Sequence, residues 1–142
     1  MHAGAALTGA AIADQQLQDA LLTKMKKLSR KLEDELFKGY GPLSSLSAKI
    51  ALAYALGLVD STTHKRLTVM RQIRNKFAHA DDFTTFESPE IRRLLAQFPA
   101  DCDEQLKNEF LYMWHLGQVE SHLVTTAGPH ILKPSAATTP DA

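Results

Sequence analysis

Apolar residues recur along this chain at the three- and four-residue spacing of helices, and almost nowhere in the alternation of a half-buried strand. In ADQQLQDALLTKMKKLSRKLEDELF, Leu17, Leu21, Leu28, Leu32 and Leu36 fall on one stripe with Lys, Asp and Glu between them. That pattern predicts a single long amphipathic helix capped by Asp14. KGYGP, with Gly39, Gly41 and Pro42, stops it. The next segment, LSSLSAKIALAYALGL, is apolar, small or hydroxylated apart from Lys49. It predicts a helix buried on most sides and ended by Gly57. Asp60 or Ser61 caps a third helix that runs through Leu67, Met70, Ile73 and Phe77 to His79. ADDFTTFESPE reads as a loop, and Pro89 suits the first turn of a short helix, PEIRRLLAQF. A last helix is expected from Asp103 and Glu104, through Leu106, Phe110, Met113, Trp114, Leu116 and Val119. The fold expected is all-α, one compact bundle of about five helices.

Composition narrows this picture. A chain of 142 residues suffices for one domain with a real core. The expected organisation is a flexible lead over residues 1–12, a helical domain over 13–127 and a disordered Pro/Thr/Ala tail over 128–142. The 16 basic and 16 acidic residues balance, so any attraction to phosphate has to be local. Cys102 is the only cysteine, which excludes an internal disulfide and a cysteine-built metal cluster and suits a reducing cytoplasm. No basic signal-peptide start and no long apolar run is present, so neither export nor a membrane is expected. His64, His115 and His122 read as surface histidines, and no metal or cofactor is expected.

The third helix carries the candidate chemistry. With Arg74 set at zero on a wheel of 100° per residue, Val69, Met70, Ile73 and Phe77 occupy the core arc. Arg71, Asn75 and His79 fall at about 60°, 100° and 140°, one above another. Arg74, Asn75 and His79 form the spacing R-N-x-x-x-H. An arginine can hold a phosphate with two parallel hydrogen bonds, and a histidine can move a proton near neutral pH. Together they suit attack of a ribose 2′-hydroxyl on its own phosphate without metal. The binding set around them is Arg71, Arg74, Asn75, Lys76 and His79. Ser44, Ser47 and Lys49, at the start of the preceding helix, are second choices, since a helix N-terminus can also receive an anion. The segment LAYALGLVDSTTHKRL has the outline of a helix-turn-helix, but Val59 and Thr63 stand where a polar cap and an apolar anchor belong, and a plain helical hairpin is expected.

The run GPLSSLSAKIALAYALGLV followed by IRNKFAHADDFTTFES resembles the bacterial mannitol operon repressor family over residues 39–88. The resemblance implies an all-α fold and a role in regulating transcription. That family's fold is similar to the HEPN superfamily, whose ribonucleases use an Arg-polar-x-x-x-His motif across a dimer interface; Arg74, Asn75 and His79 match it position by position. The expected function is therefore a regulator acting through a protein partner or through nucleic acid contacted indirectly. The alternative is a metal-independent ribonuclease or RNA-binding module. A homodimer is expected from the apolar surface that the second and third helices present.

Overall fold

Alanine decides how the chain begins. The computed structural model describes residues 2–79, 83–102 and 105–127, and its first helix, α1, spans His2–Leu22. Ala6, Ala10, Ala13 and Ala20 are buried beside Leu17 and Leu21, so the backbone of α1 lies close against its neighbours. A Cβ on Gly9 would stand 3.1 Å from side-chain carbons of both Leu116 and Tyr112. The Tyr112 hydroxyl donates to the Ala6 carbonyl at 3.0 Å. Residues 2–12 thus form the first turns of this helix, with Ala6 and Ala10 packed in the bundle. An alanine face adds little to an apolar count, yet it allows the close approach that larger side chains prevent.

The long first helix expected from the leucine stripe is two helices. After a turn, α2 (Arg30–Phe37) starts afresh under Ser29, whose Oγ accepts the Leu32 N–H at 3.2 Å. The stripe continues in phase through the break, but its fate changes. Leu17 and Leu21 are in the core, while Leu32 is 41% exposed. α2 packs extensively against no other helix and is tethered by buried Phe37. The sequence 24–27, with three lysines beside Met25, gives the first helix no reason to continue once its core face has ended.

Helix α3 (Leu46–Ala55) is capped by Ser45, whose Oγ accepts the Ala48 N–H at 3.1 Å. It buries Leu46, Ile50 and Ala53 but leaves Ala51, Tyr54 and Ala55 exposed, so it is not buried on most sides. Gly57, at φ 75°, makes the left-handed turn that ends it. Asp60 then caps α4 (Ser61–Ala78), accepting the Thr63 N–H at 2.7 Å. Pro89 opens α5 (Pro89–Leu95). The last helix, α6 (Asn108–Ala127), begins later than the acidic pair suggested; residues 103–104 and the tail from residue 128 lie outside the described residues.

α4 is the centre of the bundle, with α1, α3, α5 and α6 packed around it, and α1 also lies against α3 and α6. Val69, Met70, Ile73 and Phe77 are buried, as the wheel predicted, and Leu67, outside that arc at about 20°, is buried with them. The buried face of α6 is Tyr112, His115, Leu116, Val119 and Leu123; Phe110 and Met113, named among the apolar residues of this helix, are 65% and 48% exposed. Phe77, Phe86 and Tyr112 form a chain of rings with centroids 5.0 and 5.5 Å apart, which joins α4 to α6. Among the described residues there are six helices and no strand. None of these helices is long and apolar enough to cross a membrane.

Candidate functional site

The C-terminal half of α4 forms one wall of an open cleft of about 770 Å³. Gln72, Asn75, Lys76 and His79 line it at i, i+3, i+4 and i+7, a single helical stripe. Glu90 and Leu94, four apart on α5, face them, and Thr84 lies in the connecting segment. His79 ends the helix: its backbone N–H donates to the Asn75 carbonyl at 3.1 Å, and its exposed side chain stands where α4 stops.

Arg74 is not part of that lining. Position 74 is about 140° around the helix from position 79, on the edge of the core arc. Its side chain is half-buried, and its Nε is enclosed with no hydrogen-bond partner among the described residues. Its charge acts on Tyr112: burial pushes the phenol well above its ordinary range, and the Arg74 guanidinium works against that rise. Asn75, Lys76 and His79 therefore share a cleft, while Arg74 is directed to the α6 side of the same helix. A pairing of Arg74 with Asp81 or Asp82 would involve residues outside those described. Arg71 is half-buried and does not line the cleft.

The second-choice residues are held by the fold. Lys49 is buried and ion-paired with Asp14 of α1, so its ammonium is not offered to a ligand. The Ser44 hydroxyl donates to the Gly41 carbonyl at 2.8 Å, and Ser47 is exposed on the first turn of α3. Among the described residues no group of three His, Cys, Asp or Glu side chains is arranged to hold a metal.

Sequence reasoning missed a second polar cluster. Arg66 is buried, ion-paired with Asp101, and its guanidinium lies 5.6 Å from the Trp114 ring centroid. Beside it His115, 1% exposed, stacks on Phe98 at 4.0 Å with an interplanar angle of 6° and meets Trp114 edge-on. Burial, reinforced by the Arg66 charge and opposed by Asp101, lowers the His115 pKa to about 4, so the ring is neutral near pH 7. One signal for Arg66 was available: it falls at about 280° on the same wheel, inside the core arc, where a cation needs a partner. Asp101 lies in an irregular segment with no periodicity to place it. Glu90 had no comparable signal, because α5 is too short to define a face.

The cleft offers hydrogen-bonding and charged groups of both signs. Amide groups from Gln72 and Asn75, a lysine and a histidine face a carboxylate and a leucine. Within one chain, the arginine and histidine needed for phosphate transfer do not converge. The fold and site define an all-helical bundle with a mixed-charge cleft beside its central helix. The chain belongs to the mannitol repressor family: residues 12–114 match the family described as MtlR: Mannitol repressor. No curated protein and no solved structure matches it significantly.

Proposed function

We propose that the chain is a bacterial transcriptional regulator that works as a cytoplasmic homodimer through a protein partner, or through nucleic acid contacted indirectly. The burial of α4 supports this reading most. Its whole apolar face, together with Thr63 and Arg66, is enclosed by four other helices. A recognition helix has to project its polar face into a groove about 12 Å wide, and α5 packs beside the polar stripe of α4 and narrows that approach. What α4 leaves to solvent is the stripe from Gln72 to His79, opposite Glu90 and Leu94. Mixed charge and one apolar residue suit a polypeptide better than a uniformly anionic backbone.

Two experiments test the proposal. Purified chain mixed with its target promoter should give no sequence-specific retardation. In cells, Lys76→Glu should release repression of a reporter while leaving the thermal melt unchanged, since Lys76 is exposed. Tight, sequence-specific retardation by the chain alone would refute the indirect mechanism. The ribonuclease reading draws on Asn75 and His79 standing side by side in an open cleft. It requires Arg74 to be supplied from a second copy. Metal-free cleavage of an RNA pool that disappears in His79→Ala would replace the first reading with this one, because loss of proton transfer is worth roughly 10²–10⁴-fold.

A further inference from the structure

The cleft beside α5 is one end of a longer polar strip. On the wheel that sets Arg74 at zero, His64, Thr68, Arg71, Gln72, Asn75 and His79 fall between about 60° and 160°, away from the buried arc. Lys65 and Lys76, at about 180° and 200°, follow one edge of the strip, and Arg71, at about 60°, marks the other. Both lysines are exposed and Arg71 is half-buried. From His64 to His79 the strip is about 22 Å long, at about 1.5 Å per residue. At its far end Tyr54 of α3, 46% exposed, stacks on His64 with ring centroids 4.3 Å apart. At the near end Leu94 of α5 lines the cleft. The strip therefore has cationic edges, an uncharged polar centre and an apolar side chain at each end.

Charge is segregated here although the whole chain is balanced. No acidic residue occurs between Asp60 and Asp81, and α3 contains none. Asp60 is engaged as the cap of α4, and among the described residues Glu90 is the one carboxylate lining the cleft. Asp81 and Asp82 lie outside the described residues. Two basic side chains of α4 are committed elsewhere: Arg66 pairs with Asp101, and Arg74 acts on Tyr112. That leaves Lys65, Arg71 and Lys76 on the strip. Three cations make a poor polyphosphate site, since nucleic-acid binders commonly neutralise about 6–10 phosphates. They are enough to match a few carboxylates placed at helical spacing.

An extended peptide gains little on this surface, because a helix offers no free backbone edge for it to pair with. A second helix satisfies its own backbone and lays side chains down at every turn. We infer, on the protein-partner reading above, that the outer face of α4 receives an amphipathic acidic helix about four turns long. Its carboxylates meet Lys65 and Lys76 along one edge and Arg71 along the other. Lys65 and Lys76 stand about three turns apart, so the matching carboxylates repeat at that interval on the partner. Apolar residues near its two ends rest on Tyr54 and Leu94. Glu90, which shares the Leu94 end of the strip, repels a carboxylate there and so sets which way the helix lies.

The full chain is titrated into a fluorescent peptide of about 18 residues, glutamate and alanine with leucine near each end, long enough to hold a helix. The same peptide with glutamine for every glutamate, and a single-stranded oligouridylate, run in parallel. The expected result is saturable binding of the acidic peptide that weakens with added salt. The glutamine peptide should bind about tenfold more weakly, the combined effect of three exposed ion pairs, and the RNA more weakly still. Lys65→Glu and Arg71→Glu should each weaken the acidic peptide by about fivefold, while Lys31→Glu on α2 should leave it unchanged. Lys65 is exposed, so its reversal keeps the fold intact even if Arg71→Glu does not. Equal binding of the two peptides, no binding of either, tighter binding of the RNA, or acidic-peptide binding that survives Lys65→Glu would overturn the inference. In the reporter cells, release of repression by Lys76→Glu but not by Lys65→Glu would keep the protein-partner reading and remove the acidic helix.

Discussion

Acid should unfold this protein partly through one imidazole, and the effect can be isolated by replacing His115 with Phe. His115 is enclosed between Phe98 and Trp114, with Nδ1 lacking a hydrogen-bond partner. Its pKa is about 4 in the fold, against 6.5 for an unperturbed histidine. Between those values the unfolded chain carries a proton that the folded chain does not, so lowering the pH favours unfolding. Stability from the neutral ring is complete above pH 6.5, is lost as pH falls through that window, and stops changing below about 4. Applying linkage with these two values, the loss between pH 7 and pH 4.5 is about 2 kcal/mol. Phenylalanine can take the same stacked position without a proton to bind, and at pH 7 the swap should change stability by no more than about 1.5 kcal/mol. Urea titrations followed by circular dichroism at several pH values give the unfolding free energy of both proteins. Other titrating groups are common to the two, so the difference between the two pH profiles belongs to position 115. Parallel profiles across this window would refute the assignment of a buried, neutral His115.

Removing Asp14 should be worse than removing the lysine it pairs with. Asp14→Ala strands the buried Lys49 ammonium and should cost about 3 kcal/mol, whereas Lys49→Met should cost under about 1 kcal/mol; equal losses in chemical denaturation would contradict the pairing. Asp101→Asn should destabilise the fold by about 2 kcal/mol by weakening the charged hydrogen bond to Arg66, read from the shift in urea midpoint. Gly9→Val should lower the melting temperature through a cost of about 1–3 kcal/mol, because Leu116 and Tyr112 already occupy the space. Deleting residues 1–9 should also destabilise the protein, and an unchanged melt would show that the start of α1 is not docked. Light scattering at tens of micromolar, a concentration suited to an ordinary interface, should report a dimer.

The legible parts of this fold were those where one residue type has one physical use. Gly57 for a left-handed turn, Asp60 for a cap and Pro89 for a first turn all stand where the sequence pattern puts them. The core face of α4 was legible too, because nearly every apolar residue on that wheel is buried. What periodicity could not convey was which stripe would find a partner. Leu32 carries the same helical phase as Leu21, yet only Leu21 has neighbours to cover it. The candidate site divided in the same way. Asn75, Lys76 and His79 share a cleft because helix geometry requires it, but only tertiary packing turns Arg74 away. The Arg66–Asp101 pair joins positions 35 apart, beyond the reach of any local pattern.

The bond between Tyr112 and Ala6 spans 106 positions, and it ties the first helix to the last. While the chain is being made, α1 emerges early and waits. Its alanine face is not fully covered until residues near Leu116 have left the ribosome. α3 and α4 can shield part of it sooner, but α6 completes the enclosure. A message interrupted anywhere before α6 therefore yields a product with an open seam along α1 and α4, suited to capture by chaperones and proteases. Closure of the core therefore waits on α6, and whether α1 is kept is decided by a helix made some hundred residues after it.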